Sequence, residues 1–155
     1  MQTFVILVHM KQPDTQRLIE LQKLLVGFRS IKRMVHLPGE KKEWENDVDH
    51  SYSLAMLGWF LAQYFPDLNR DEVIRIALVH DLVEVHAGDT YLYGDDELLA
   101  TKKQREADAL KQLEKEWPDF PDMLENIRAY EAKDSPEARF VYALDKIMPI
   151  LLIYL

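Results

Sequence analysis

Apolar residues recur at intervals of three and four along most of the chain, the spacing that places side chains on one face of an α-helix. This pattern predicts helices over residues 14–29, 47–65, 69–88, 100–116, 122–133 and 136–155. Asp14 is the expected cap of the first helix, Asn69 and Glu72 form a capping box for the third, and Gly88 is its expected end. Pro149 is an expected kink in the last helix. No segment alternates convincingly enough to predict a strand, and residues 90–100 have the composition of a loop.

The predicted helices each carry a stripe that should face the core. In the first three helices these stripes are Leu18, Leu21, Leu25 and Phe28, then Leu54, Leu57, Leu61 and Phe65, then Val73, Ile74, Ala77 and Leu78. The pattern therefore predicts an all-α fold, built as a single helical bundle.

Composition agrees with one globular domain over residues 1–155, of which 48% are apolar. The net charge of −8, without a lysine- or arginine-rich block, argues against nucleic acid or an anionic membrane surface as the main partner. The chain has no cysteine, which excludes disulfides and thiolate metal sites and agrees with a cytoplasmic location. The apolar run near the start is too short to span a bilayer, and Met10 is an alternative start that would make residues 1–9 an extension.

Ionisable residues interrupt the third helix where its apolar residues are densest. Glu84 lies four residues after His80 and three after Asp81, so their side chains emerge on one face. His50 and Asp145 fall on the apolar stripes of two other helices. Each alone is an ordinary hydrogen-bonded core residue, but inward carboxylates on several helices require partners. A shared divalent cation would satisfy two imidazoles and two carboxylates together.

The ordered residues His50, His80-Asp81 and Asp145 resemble the HD-domain metal-dependent phosphohydrolases. The likeness extends to "ENDVDHSYSLAML", "ALVHDLVEVHAGDT", "KKQREADAL" and "SPEARFVYALDKI", and it covers about residues 28–148. The spacing is similar to that of the 5′-deoxynucleotidase-like subgroup. The resemblance implies an HD-domain bundle that hydrolyses the phosphomonoester of nucleoside 5′-monophosphates with a metal-activated water.

The resemblance also implies roles for individual residues. His50, His80, Asp81 and Asp145 would bind one divalent metal ion, which the donor set allows to be Mn, Co, Fe or Mg. Glu84 and Asp89 would be the catalytic acids around the attacking water, and Arg33 would contact the substrate phosphate. From the residues alone, Asp89 and Arg33 look like solvated charges in connecting segments. Met34 stands where the family often has an aromatic residue, and His9, His36 and His86 are interpreted as structural or surface residues.

Two other functions fit parts of the pattern. A non-enzymatic, metal-binding helical module for self-association would explain the apolar ending "MPILLIYL", which needs a cover such as a homodimer interface or further chain. An HD-family oxygenase is the other alternative, but it requires a di-iron site, and His86 is the last histidine of the chain.

Overall fold

The computed structural model describes residues 14–39, 43–89, 96–152 and 154–155. Two short strands separate the first helix from the others, which follow in the order α1, β1, β2 and then α2 to α7. The helices are α1 Thr15–Ser30, α2 Asp47–Ala62, α3 Arg70–Val79, α4 Glu84–Ala87, α5 Asp96–Glu116, α6 Pro121–Ala132 and α7 Pro136–Leu152; the strands are β1 Lys32–His36 and β2 Trp44–Asn46. The expectation of an all-α fold is confirmed, and in the part of the chain that the structure describes the helical bundle has only this small sheet beside it. Residues 1–9 and 90–95, on which two further expectations rest, lie outside the described residues.

The sheet corrects the expectation that the chain forms no strand. β1 and β2 are antiparallel, with Lys32 opposite Asn46 and His36 opposite Trp44, and the register shifts between these pairs. Exposure alternates along β1, so that Arg33 is turned toward the protein and Met34 toward solvent. Strands of five and three residues with a bulge are too short to show a clear period of two in the sequence.

The third predicted helix is two helices joined by a tight turn. Within residues 80–83 the Leu82 N–H donates to the Val79 carbonyl at 3.0 Å, and the Glu84 N–H donates to the Asp81 carbonyl at 2.9 Å. These are the three-residue bonds of a 3₁₀-like turn, which tightens the chain where the His80-Asp81 doublet lies. The expected end at Gly88 is confirmed, because Gly88 has φ 74° and its N–H donates to the Glu84 carbonyl.

Caps and helix ends agree with the sequence in some places only. The side chains of Asp14 and Asn69 accept backbone N–H groups at the starts of α1 and α3. The Asn69 N–H donates to Glu137, however, so the reciprocal bond of a capping box is replaced by a link to α7. α5 begins at Asp96, which makes residues 96–100 helical and not a loop, and α7 continues through Pro149.

Two clusters of buried apolar residues hold the helices. One contains Phe28, Leu113 and Ile127 and packs the turn after α3 against α1, α5 and α6. The other contains Leu54, Ile76 and Val141 and joins α2, α3 and α7. Gly58 brings α2 close to α3, because a Cβ atom there would lie 2.9 Å from Val73 Cγ1. The second cluster thus fixes α2 and α7, which carry two of the predicted metal ligands, and α3, which leads directly into the turn that carries the other two.

The predicted stripes are only partly buried. Phe28, Leu54, Val73 and Ala77 are buried, but Leu18, Leu25, Phe65 and Leu78 are exposed. α1 instead buries Leu24 and Phe28 in the first cluster, and Leu21 packs against it partly buried. At the C-terminus Ile150, Leu151 and Leu155 are exposed, so a homodimer that covers them stays a prediction. Within the described ranges no helix is long and apolar enough to cross a membrane.

Candidate metal centre

Four side chains from three helical regions meet at one point inside the protein. His50 comes from α2, His80 and Asp81 from the turn after α3, and Asp145 from α7. One ligand atom from each lies within 4.8 Å of the ligand atoms of all the others. The structure therefore brings together the four residues that the sequence proposed as ligands, and their role as ligands stays a prediction.

Local capping places the first of these histidines. The Asn46 side chain accepts the N–H groups of Val48 and Asp49 at 3.1 Å, which starts α2 immediately after β2. His50 then lies one turn into the helix, fully buried, on the face that contacts α7. Its Nε2 atom is 3.0 Å from Asp145 Oδ1.

His80 is held with one ring nitrogen facing the acids. Its Nδ1–H donates to the Ala77 carbonyl at 2.9 Å, which fixes the tautomer because a carbonyl only accepts. Nε2 is buried without a hydrogen-bond partner among the described residues, although Asp81 Oδ2 is 3.0 Å away. A neutral imidazole that donates through one nitrogen and offers the other is the arrangement found at metal sites. The residues therefore fit a divalent cation.

Asp145 is oriented by a residue that sequence reasoning missed. The Tyr130 hydroxyl donates to Asp145 Oδ2 at 3.0 Å, and the Tyr130 ring packs edge-on against His80. Burial alone would raise the pKa of Asp145, but the bond with His50 and the nearby cations lower it below its ordinary value. Asp145 is therefore a carboxylate at neutral pH. Tyr130 has only the spacing of a core aromatic, so the sequence carries no signal of this contact.

Arg33 lies inside the cluster and not on the surface. Its Nη1 atom is 2.5 Å from Asp81 Oδ2 and 3.3 Å from Asp47 Oδ1, and its side chain is 15% exposed. Burial alone would lower the pKa of Arg33, but these carboxylates raise it above its ordinary value. The alternation of β1 carries the arginine inward, which is why the helical pattern could not place it.

Glu84 completes the acidic side of the cluster. It is 4% exposed, and burial together with the charges of Asp81, Asp47 and Asp89 raises its pKa to about 10. Without added positive charge its carboxyl therefore holds a proton at neutral pH. Asp89 is half-buried directly after the turn at Gly88, near enough for its charge to act on Glu84.

Glu45 and Asp47 are further buried acids that sequence reasoning missed. Asp47 is fully buried, and burial and the charge of Asp81 raise its pKa to about 6. Glu45 is 2% exposed and lies between Arg33 and His50. The signal was the run of acids in "ENDVDH", which looks like an exposed helix start, but β2 turns Glu45 inward and the first residue of α2, Asp47, is buried as well.

The remaining histidines of the described residues have other partners. His86 pairs with Glu116, and His36 stacks on Trp44 with ring centroids 3.8 Å apart. Their interpretation as structural or surface residues agrees with these contacts, whereas His9 lies outside the described residues. Met34 is 52% exposed on the side of β1 opposite Arg33.

Comparisons with known proteins agree with this geometry. The HD domain family model matches residues 27–155. The 5′-deoxynucleotidase HDDC2 of Homo sapiens is 31% identical over 140 residues, which are 81% of this chain and 67% of that protein. The Mus musculus protein of the same name is 35% identical over 136 residues, or 86% of this chain and 67% of that one. A crystal structure of a predicted metal-dependent phosphohydrolase from Magnetospirillum magnetotacticum has a TM-score of 0.69 and 31% identity, covering 88% of this chain and 70% of that chain.

The chain belongs to the HD domain family. It spans about two thirds of the length of the curated relatives. The family, the structural neighbour and the His/Asp cluster together support binding of a divalent metal.

The raised pKa of Glu84 predicts that Glu84→Gln stabilises the metal-free protein. Between the ordinary pKa of 4.5 and the folded value of about 10, the folded state keeps a proton that the unfolded state has released. Stability therefore falls as pH rises through this window, and a neutral amide removes that fall. In EDTA at pH 8 the variant should melt higher than wild type, by about 2–4 °C for each 1 kcal/mol gained. The difference should vanish near pH 4; an equal difference at both pH values would contradict the assignment.

Proposed function

We propose that this protein is a divalent-metal-dependent phosphohydrolase that removes the phosphate of (deoxy)nucleoside 5′-monophosphates. The observation that carries the proposal is the buried meeting of His50, His80, Asp81 and Asp145 with a guanidinium beside them. Metal ligands adjacent to a phosphate-binding cation are what phosphomonoester hydrolysis needs. The names of the relatives support the reaction class and the nucleotide substrate.

One ion held by His50, His80, Asp81 and Asp145 would supply Lewis acidity and charge stabilisation at the phosphoryl group. Two neutral imidazoles and two carboxylates balance a divalent charge. Nitrogen and oxygen donors without thiolates suit Mn, Co, Fe or Mg, among which the donor set does not choose.

The other residues divide the remaining work. The Arg33 guanidinium donates to the phosphate oxygens, in the same way that it donates to Asp81 and Asp47. Glu84 holds the attacking water. Its carboxyl group would lose its proton, and so become charged, once a bound cation offsets the negative charge of the neighbouring acids. The water oxygen forms a bond to phosphorus as the bond from phosphorus to the 5′ oxygen breaks. Asp89 acts as general acid or base: it takes up the proton that the water loses and gives a proton to the leaving 5′ oxygen, so that a nucleoside hydroxyl and phosphate result.

The rival functions have weaker support. The exposed apolar C-terminus suits a self-associating module, but a module that only binds metal does not need an arginine beside the metal ligands. An HD-family oxygenase needs a second iron with further histidines, and His36 and His86 are engaged elsewhere. We propose that residues 1–155 act as one HD domain.

The proposal is tested with metal-stripped protein and a panel of ribo- and deoxyribonucleoside 5′-monophosphates, each assayed with Mn²⁺, Co²⁺, Fe²⁺ or Mg²⁺. Phosphate should be released from at least one nucleotide in a metal-dependent way. Metal binding without release from any of them would favour the module.

Loss of one ligand should remove the metal. His80→Ala and Asp81→Ala should each lower bound metal to background and abolish phosphate release, because the three remaining ligands bind the ion too weakly to retain it. Metal content is measured by elemental analysis after dialysis. His86→Ala is the matched control, since this histidine pairs with Glu116. Full metal content in both variants would contradict the assignment.

Arg33 should serve substrate binding more than the chemical step. Arg33→Lys keeps the positive charge that Asp47 and Asp81 need but loses the planar pair of donors. If Arg33 holds the phosphate equally in substrate and transition state, KM should rise by about 10- to 100-fold with kcat nearly unchanged. Steady-state kinetics at saturating metal measure the two constants. A fall in kcat at unchanged KM would assign the arginine to the transition state.

Asp89 should behave in the opposite way. Asp89→Asn keeps the shape of the side chain but cannot transfer a proton to the leaving oxygen. Its kcat should fall by about 10²- to 10⁴-fold while the metal content stays at the wild-type level. Full activity of the variant would mean that "HAGDT" is only a helix end.

A further inference from the structure

Glu45 is a buried acid to which the proposed reaction gives no role. It lies in the middle of β2, with 2% of its surface exposed. Its Oε2 atom is 3.4 Å from Arg33 Nε and 3.3 Å from His50 Nδ1. One carboxylate oxygen therefore touches both the phosphate-binding candidate and a metal-ligand candidate.

Each of these three atoms is buried and lacks a well-formed hydrogen bond to any described residue. Two are N–H donors and the third is an acceptor with a negative charge, so they complement one another. Leaving buried polar atoms without a hydrogen-bond partner destabilises the folded state. A small shift of the Glu45 side chain would satisfy all of them together.

We propose that Glu45 is a positioning residue that orients His50 and Arg33 at once. It accepts the His50 Nδ1–H and so directs the lone pair of Nε2 toward the ligand cluster, in place of the other tautomer. It also holds Arg33 at Nε, which leaves the two Nη groups facing Asp81 and Asp145. This inference rests on the proposed function for the phosphate role of Arg33, but not for the orientation of His50.

The negative charge of Glu45 contributes to the positioning of His50 and Arg33. Hydrogen bonds from N–H groups to a carboxylate are roughly twice as strong as those to a neutral acceptor. Carboxylates that accept the second ring N–H of a ligating histidine also raise its basicity, and their loss typically lowers metal affinity about 10- to 100-fold. Glutamine has the same shape without the charge, so Glu45→Gln isolates this effect.

The orientation of His50 is tested first on the unmodified protein. Nitrogen-15 spectra of the imidazoles are recorded with Zn²⁺ as a diamagnetic probe, with His50 assigned through its backbone. The expected result is a protonated Nδ1 and a zinc-bound Nε2. A zinc-bound Nδ1 would overturn the proposal, and this arm does not depend on any variant folding.

The second test compares Glu45→Gln with Glu43→Gln. Glu43 is exposed two residues earlier, so it carries the same charge change without the contacts. Titration calorimetry with Mn²⁺ should show about 10- to 100-fold weaker binding for Glu45→Gln only. The inhibition constant of inorganic phosphate should rise as well, because Arg33 loses its anchor. Glu45→Asp, which keeps the charge, should recover part of both affinities.

A merely structural role would lower the melting temperature but leave both affinities equal to those of Glu43→Gln, and that result would overturn the proposal. Failure of the proposed function gives a different pattern. Wild type would then bind Mn²⁺ but release phosphate from no nucleotide, while the calorimetry and the spectra would still decide the role of Glu45.

Discussion

The structure depends on the balance of charge around one largely buried guanidinium. Arg33 lies within 4.0 Å of carboxylate oxygens from Glu45, Asp47, Asp81 and Asp145, and all of these side chains are at most 15% exposed. Removing an ion from water costs several kcal/mol unless an opposite charge compensates. A single positive charge cannot balance so many acids. The cluster therefore carries an excess of negative charge that further protons or cations have to offset.

The raised pKa values of the neighbouring groups reflect how strongly the acids of the site attract positive charge. Burial would lower the pKa of His50, but its bond to Asp145 and the nearby carboxylate of Glu45 outweigh this and raise it to about 9. Glu84 and Asp47 respond in the same direction by holding protons to higher pH. A divalent cation competes with these protons for the same carboxylates and imidazoles, so metal binding is expected to release protons. The second apolar cluster, which joins α2, α3 and α7, keeps the acids together despite their repulsion.

The sequence predicts those parts of the site that lie on long helices. His50 and Asp145 follow a period of 3.6 among apolar residues, so their burial could be inferred without coordinates. Arg33, Glu45 and Asp47 could not be placed in this way, because they lie on or beside a short hairpin whose register includes a bulge. Local turns were also hidden, since a 3₁₀-like turn at residues 80–83 preserves almost the same spacing as an α-helix. Tyr130 was missed for a different reason: its contact with Asp145 depends on how α6 packs, which no local pattern encodes.

Arg33 connects this balance of charge to the proposed reaction. While it pairs with Asp81 and Asp47 its donors are occupied, and a phosphate has to compete with those carboxylates for them. A cation shared by Asp81 and Asp145 weakens the attraction between these carboxylates and the guanidinium, because the cation already offsets part of their negative charge. A divalent cation offsets the excess negative charge of these acids, whereas a phosphomonoester dianion bound alone would add to it. The electrostatics of the cluster thus favour uptake of phosphate by the metal-loaded site, in which Arg33 would move from the protein carboxylates to the substrate.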